Sequence, residues 1–229
     1  MHIAIITARG GSKRIPRKNI RLFLGKPMIA WPIKAAKEAN CFSHILVSTE
    51  DKEIAECAVS YGAEVPFLRP IDMADDFTHA HIPAQHMLRW AMQQWDDIKC
   101  VSHIYPTAPL LQADDILSGF ALVQKDKLFA YTAQKITFPI YQTVIIDQEG
   151  TVIPLFTSEK ASLRTQDMPQ AYIDAGQCYW YATTEVFLNH ELITPSNTAL
   201  IPIPSERAID IDTEEDWYLA ERMAKALFL

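Results

Sequence analysis

Three observations assign the chain to the α/β class with a mostly parallel sheet. Its first residues, 2–8, form an unbroken apolar run, His-Ile-Ala-Ile-Ile-Thr-Ala, as expected of a strand covered on both faces. Strand-length apolar runs then alternate with amphipathic, helix-length ones through more than half of the 229 residues. Two of only seven glycines, Gly10 and Gly11, are adjacent and follow that first run directly, where an open parallel sheet takes its ligands.

The remaining elements follow in order. Residues 28–40 predict a helix with Pro32 in its first turns, where proline is tolerated. Residues 45–48 are a second strand. Residues 51–61 are a helix stopped by Gly62, and 65–68 a short strand. A helix at 81–95, a strand at 101–105 and a helix at 114–125 continue the alternation. The pattern then changes. Residues 130–133 read as a strand, 141–155 as a hairpin about the turn 147–150, and 158–171 as polar and irregular. Residues 178–181 are another strand. Residues 213–229 form an amphipathic helix with Trp217, Ala220, Ala224 and Leu227 on one face, and Thr213 and Asp216 as its capping box. No repeat or linker interrupts the chain, so 1–229 reads as one domain carrying an inserted β element at about 139–171.

Composition excludes several classes. Hydrophobic residues at 49% and charged ones at 21% are those of a globular core, not a disordered chain. No apolar run approaches a membrane span, and residues 1–8 are too short for a signal segment, so a cytoplasmic protein is expected. Cys41, Cys57, Cys100 and Cys178 form no C-x-x-C pair and read as small buried hydrophobes. His79, His81 and His86 read as a loop and helix start, with a metal site as the alternative; Trp90 and Trp95 read as core or interface.

The net charge of −7 argues against a nucleic-acid partner, but it is unevenly spread. Residues 9–26 hold seven Lys and Arg and no acid, leaving 14 basic and 28 acidic residues elsewhere. This segment is either an anion site or a solvated basic face. It begins beyond the first strand, as Ala8-Arg9-Gly10-Gly11-Ser12-Lys13. Neither G-x-G-x-x-G nor G-x-x-x-x-G-K-[ST] fits, which disfavours dinucleotide oxidoreductases and Walker-type ATPases. Small residues still let backbone N–H groups approach phosphate, Ser12 adds a hydroxyl, and Arg9, Lys13 and Lys18 supply the charge that a triphosphate needs. Near the other end, Asp210 and Asp212 flank Ile211. In extended chain both carboxylates face one way, which suits Mg²⁺; capping of the following helix is the competing role.

The run Ala8-Arg9-Gly10-Gly11-Ser12-Lys13-Arg14-Ile15-Pro16-Arg17-Lys18-Asn19 resembles the signature of the cytidylyltransferases that activate nonulosonic, sialic-type acids. Further similar blocks follow in family order: Val47–Asp51, Gly62–Pro70, Tyr105–Pro109 and Asp210–Trp217. The resemblance implies a Rossmann-like, GT-A-like nucleotidyltransferase domain, dimeric through the inserted hairpin, that uses Mg²⁺ to join CMP from CTP to a nonulosonic acid. By the same resemblance Asp210 and Asp212 hold the metal, and Arg9 and Lys18 stabilise charge on the phosphates. Ala8, Gly10, Gly11, Ser12, Lys13 and Asn19 cradle phosphate and ribose, and Arg69 lies near the cytidine. On the sugar side it points to Arg164 for the sugar carboxylate, the alternative being an exposed loop arginine, and to Asp174 and Gln177 for hydroxyl or acetamido groups. Tyr105 stands where many sialic-acid-activating relatives have Gln. That block and Asp174–Trp180 are most similar to the branch that activates pseudaminic acid, although Ile173 departs from that branch's polar residue. Enzymes of the family acting on N-acetylneuraminate, legionaminate or Kdo are the neighbouring alternatives. A non-catalytic nucleotide-binding module is disfavoured by the second carboxylate.

Overall fold

A computed structural model describes residues 1–75, 78–156 and 163–228. Strand β1 (His2–Thr7) leads through a long loop, with the short strands β2 (Leu22–Phe23) and β3 (Lys26–Pro27), to helix α1 (Ala30–Ala39). Then come β4 (His44–Ser48), α2 (Lys52–Ser60), α3 (His81–Gln94), β5 (Cys100–Ile104), α4 (Ala113–Lys125) and β6 (Phe129–Lys135). The hairpin strands β7 (Val144–Ile146) and β8 (Val152–Pro154) follow, and β9 (Tyr172–Tyr181), α5 (Thr184–Leu188), β10 (Thr198–Ile203) and α6 (Glu214–Phe228) complete the described chain.

The main sheet has the order β10-β6-β9-β5-β1-β4. Only β9 runs against its neighbours; β4, β1 and β5 are parallel, as are β6 and β10. Both faces of β1 are buried, as its unbroken apolar run predicts. Ala4 and Ile6 pack with Ile33 and Ala36 of α1, Ile54 and Ala58 of α2, and Ile116 of α4. Ile3 and Ile5 pack on the other face with Met87, Leu88 and Ala91 of α3 and Phe187 of α5. The period of two along a strand divides one sequence run between two cores. On the first face α4 lies close to the sheet, because a Cβ at Gly119 would come within 2.4 Å of the Trp180 ring. There the Trp180 indole N–H donates to the Ile116 carbonyl at 2.9 Å, satisfying the buried polar atom of a large apolar side chain.

A third core lies off the sheet. Ile15, Phe23, Met28, Leu110, Ile211, Trp217, Ala220 and Ala224 pack together, so α6 covers the loop after β1 rather than a sheet face. The helix is capped reciprocally: the Asp216 carboxylate accepts from the Thr213 N–H at 2.7 Å, and the Thr213 hydroxyl accepts from the Asp216 N–H at 3.2 Å.

Several elements differ from the sequence reading. Residues 65–68 form no strand. A single parallel bridge joins Glu64 to Leu46, and Pro66, without an N–H, cannot extend a ladder. Leu227 is exposed, unlike Trp217, Ala220 and Ala224. Strand β9 begins six residues earlier than expected. The edge strand β10 and the short helix α5 carry no clear signal; the prolines of β10 are tolerated because it is an edge. The hairpin forms where expected. The Asp147 carboxylate accepts from the N–H groups of Glu149 (2.9 Å) and Thr151 (2.8 Å), and Gly150 takes the left-handed conformation. Val144, Ile145, Ile146, Val152, Ile153, Leu155 and Phe156 of this arm are all exposed. In the segment read as irregular, Thr165–Asp167 makes one 3₁₀ turn, and residues 157–162 lie outside the described ones.

His103, in β5, is fully enclosed, with Nε2 3.0 Å from the Thr7 hydroxyl. Burial, and then the charges of His81 and His190, push its imidazole down to about 3. Below the ordinary histidine pKa the unfolded chain takes up a proton that the folded protein refuses. This contribution to stability is therefore complete above about pH 6.5 and falls away between there and about pH 3, at roughly 1.4 kcal/mol per pH unit. Urea unfolding at pH 7 and pH 5 should show a smaller stability loss in His103→Gln than in the wild type. An equal loss would mean that His103 does not titrate in this way.

Candidate active site

The carboxyl ends of β1 and β5 lie side by side, and the chain goes from β1 to β4 on one side and then crosses back to β5 on the other. This is the switch point at which open α/β sheets bind ligands. A cleft of about 260 Å³ opens there, lined by Thr7, Arg9, Ser12, Lys13, Arg14, Lys18, Asn19, Arg69, Tyr105 and Thr107 among others.

The loop after β1 is shaped by its contacts. Gly10 must be glycine, because a Cβ there would lie 2.5 Å from the Asp51 carboxylate. Its N–H donates to Glu50 Oε1 at 2.6 Å, and the Ser12 N–H donates to its carbonyl at 3.0 Å. Gly11 has open space around it. The buried Asn19 amide donates to the Arg9 carbonyl at 2.9 Å, and its Oδ1 has no partner among the described residues. Arg17, in a left-handed conformation, reaches back to Asp51 and Glu53 at the start of α2.

The basic segment divides between two surroundings. Arg17 and Arg21 are tied to acids outside the cleft, Arg21 to Glu214 with its guanidinium over the Trp217 ring at 4.4 Å. Arg9, Lys13, Arg14 and Lys18 line the cleft. Part of the positive run therefore staples the loop to α2 and α6, and part lines the cleft.

The two carboxylates meet this loop. Ile211 is buried in the third core, and Asp210 and Asp212 flank it. Asp212 Oδ1 accepts from Arg14 at 2.8 Å and lies 3.5 Å from Lys18 Nζ, which also donates to the Ile211 carbonyl at 2.7 Å. Burial lowers the Lys18 pKa, while Asp212 and Asp210 oppose that shift. Asp210 is held above the usual carboxylate range, first by desolvation and then by repulsion from Asp212. The segment before this pair is anchored by Arg207, whose Nη2 donates to the Asp115 carboxylate at 2.9 Å in a nearly buried ion pair.

Tyr105, which lines the cleft, is backed by a second aromatic ring and a bulged strand. Between Tyr131 and Ala133 the β6–β9 register shifts, and Ala175 to Cys178 of β9, between the partners Asp174 and Tyr179, bulge away from β6. The Thr132 hydroxyl, which accepts from the Cys178 N–H at 3.1 Å, repairs the interrupted ladder. In the bulge Gly176 is left-handed, and a Cβ there would sit 4.0 Å from Asp210 Cγ, so the bulge borders the carboxylates. The Tyr179 hydroxyl donates to both Asp174 oxygens, at 3.1 and 3.0 Å, and the Tyr105 and Tyr179 rings are 5.3 Å apart. Burial raises both phenols.

The Cytidylyltransferase family model matches residues 3–139. A Campylobacter jejuni protein named pseudaminic acid cytidylyltransferase is 33% identical over 228 residues, covering 98% of this chain and 96% of its own. The chain belongs to the cytidylyltransferase family. A Legionella pneumophila CMP-N,N'-diacetyllegionaminic acid synthase is 32% identical, covering 96% of this chain and 95% of its own. The solved structure of CMP:2-keto-3-deoxy-manno-octonic acid synthetase complexed with CTP shares the fold, with a TM-score of 0.71 at 16% identity and 99% coverage of both chains. The cytidylyltransferase fold is thus a single mixed α/β domain with a largely parallel sheet, and the protein is a nucleotidyltransferase.

Within this cytidylyltransferase the expected residues separate into two groups. Arg9, Ser12, Lys13, Lys18, Asn19, Arg69 and Tyr105 line the cleft; Ala8, Gly10 and Gly11 shape its loop, and Asp210 and Asp212 lie beside Lys18. Asp174 joins through Tyr179. Gln177 is buried, with its amide donating to the Arg207 carbonyl at 2.6 Å and Oε1 without a partner among the described residues. Arg164 is exposed and pairs with Asp167 at 2.8 Å; it is not one of the residues that line the cleft. Sequence reasoning passed over Glu50 and Tyr179. Glu50 follows the carboxyl end of β4, the same positional signal that marks Gly10. Among the described residues no cluster of three or more His, Cys, Asp or Glu could hold a metal; the His79 and His81 rings lie 5.9 Å apart at the start of α3.

The coupling of the two carboxylates is directly measurable. Asp212→Asn removes one negative neighbour, so the Asp210 pKa should fall while staying above the usual carboxylate value, because desolvation is the larger cause. A carboxyl-carbon NMR titration that showed no downward shift would mean that the pair does not interact.

Proposed function

We propose that this enzyme transfers CMP from CTP to the anomeric hydroxyl of a nonulosonic acid, pseudaminic acid in particular, with release of pyrophosphate. The observation that carries this reading is the meeting, at one switch point, of a basic loop, a coupled aspartate pair and an aromatic pair backed by Asp174. The names of the relatives with about one-third identity support the choice of sugar class.

In this reading the loop holds the triphosphate. Backbone N–H groups and the Ser12 hydroxyl meet phosphate oxygens, Arg9, Lys13 and Lys18 neutralise them, Asn19 faces the ribose and Arg69 the cytidine. The sugar hydroxyl attacks the α-phosphorus and gives up its proton to solvent, a new P–O bond forms, and the bond from the α-phosphorus to the oxygen it shares with the β-phosphate breaks, so that pyrophosphate leaves. Such transfers are accelerated mainly by positioning and charge neutralisation. Lys18 suits this role, because its ammonium is fixed by the Ile211 carbonyl before any substrate arrives.

Asp210 and Asp212 are the residues that would hold Mg²⁺. They fit a hard cation: Asp210 makes no hydrogen bond among the described residues, and its proton affinity is already raised by the carboxylate beside it, a repulsion that a cation would relieve. When bound, Mg²⁺ would supply charge neutralisation at the phosphate oxygens.

On the sugar side, Tyr105 and Tyr179 present rings rather than amides. Pseudaminic acid carries a methyl group where N-acetylneuraminic acid carries a hydroxyl, and an aromatic wall leaves no polar partner unmet there. The exposed apolar β7–β8 arm supports a homodimer, in which that surface is covered by a second copy. No helix among the described residues is long and apolar enough to cross a membrane, and a cytoplasmic location is part of the same reading.

Pyrophosphate release from CTP, measured with pseudaminic and N-acetylneuraminic acids in competition, tests the whole reading. Pseudaminic acid should give the higher kcat/KM, Tyr105→Gln should narrow the difference, and Asp210→Ala should cut turnover on the order of 10³-fold. Equal or better kcat/KM with N-acetylneuraminic acid reassigns the sugar. Sugar-independent CTP binding without any turnover would instead indicate a non-catalytic nucleotide-binding module.

A further inference from the structure

Glu50 stands just beyond the carboxyl end of β4, next to β1, and its side chain is only 9% exposed. One oxygen accepts a hydrogen bond and the other, which takes no directed hydrogen bond among the described residues, makes an ion pair. Oε1 accepts the Gly10 N–H at 2.6 Å, and Oε2 lies 2.8 Å from Arg69 Nη2. Arg69 is itself almost fully buried, with 3% of its side chain exposed. Its Nη1 donates to the Ser48 carbonyl at 3.2 Å, its backbone N–H to the Thr49 carbonyl at 2.9 Å, and its Nε has no hydrogen-bond partner among the described residues. The residue lines the cleft, so a buried donor is available where a ligand acceptor would lie.

We propose that Glu50 is a positioning residue for the nucleotide half of the cleft, holding the Gly10 N–H and the Arg69 guanidinium in one geometry through its two carboxylate oxygens. The proposal rests on the reading that this half takes CTP.

The physical argument is one of charge. A guanidinium removed from water needs a counter-charge or it leaves the site. Arg69 also feels the positive charge of Arg9, which disfavours its own. Glu50 is the carboxylate paired with Arg69, and it binds the phosphate loop as well, so loop and arginine are set by one side chain. Asp51, the next residue, packs against Gly10 and pairs with Arg17, which limits the ways the loop can move away. Glu50 thus acts on substrate through Gly10 and Arg69 rather than by contact.

Glu50→Gln separates the two functions. A glutamine carbonyl still accepts from Gly10, but the charge that holds Arg69 is gone. KM for CTP should rise about tenfold, while KM for the sugar stays within about twofold. Arg69→Ala should raise KM for CTP too, and the E50Q/R69A double variant should be no worse than R69A alone, because both substitutions remove the same interaction. An unchanged KM for CTP in E50Q overturns the proposal. So does a fall in Tm and kcat with no split between CTP and sugar, which would make Glu50 structural only. If E50Q melts below the assay temperature, Glu50→Asp carries the comparison, since its carboxylate is drawn back by one methylene; a folded E50D with unchanged KM for CTP overturns the proposal. Wild-type CTP kinetics in R69A would remove the placement of the nucleotide itself, and the role of Glu50 with it.

Discussion

The site depends on one packing contact between segments almost two hundred residues apart. Ile15, in the loop after β1, and Ile211, between the two aspartates, are buried in the same small core under Trp217. Burying an isoleucine fully is worth about 1.5–3 kcal/mol, enough to fix a loop that makes few ladder bonds of its own. Once both isoleucines are placed, the flanking polar residues have little freedom. Lys18 reaches the Ile211 carbonyl, Arg14 reaches Asp212, and Asp210 lies near enough to Lys18 to oppose its pKa shift. The apolar contact does the assembly, and the charges act within the geometry it sets.

The charges of the basic segment divide the same way. Arg17 and Arg21 bind acids at the starts of α2 and α6, where carboxylates also suit the helix dipole. They hold the loop from two sides. Arg9, Lys13, Arg14 and Lys18 line the cleft at the end of β1. A segment that reads as uniformly positive is thus part scaffold and part cleft lining, and acids distant in the chain hold the scaffold part.

The legible parts of the sequence were those whose signal is local. The β1 run, the glycine pair behind it, the Asp147–Gly150 turn and the Thr213–Asp216 cap each announce themselves within a few residues. The aspartate pair was legible because alternation about one buried isoleucine needs only three residues. What escaped depends on distant partners. Strand β9 carries a bulge that breaks its alternation at Ala175–Cys178, which hid its first six residues. Strand β10 contains prolines that only an edge position permits. Glu50 gains its meaning from Gly10 and Arg69, which lie 40 residues before it and 19 after it, and Tyr179 from a bulge that brings Asp174 back to its hydroxyl. Gln177 shows the reverse case: a polar residue in a block that reads as sugar-facing, with its amide spent on the Arg207 carbonyl.

The central claim is that the apolar platform, not the carboxylates alone, makes the site competent. Ile211→Ala tests it most directly, because both aspartates and every cleft cation remain. Pyrophosphate release from CTP and pseudaminic acid should be measured on the folded variant, alongside its thermal unfolding. The account predicts a loss of stability of about 2–5 kcal/mol from the cavity, and a fall in kcat/KM of at least about tenfold under conditions where the protein is fully folded. Wild-type kcat/KM in a folded Ile211→Ala protein would contradict it.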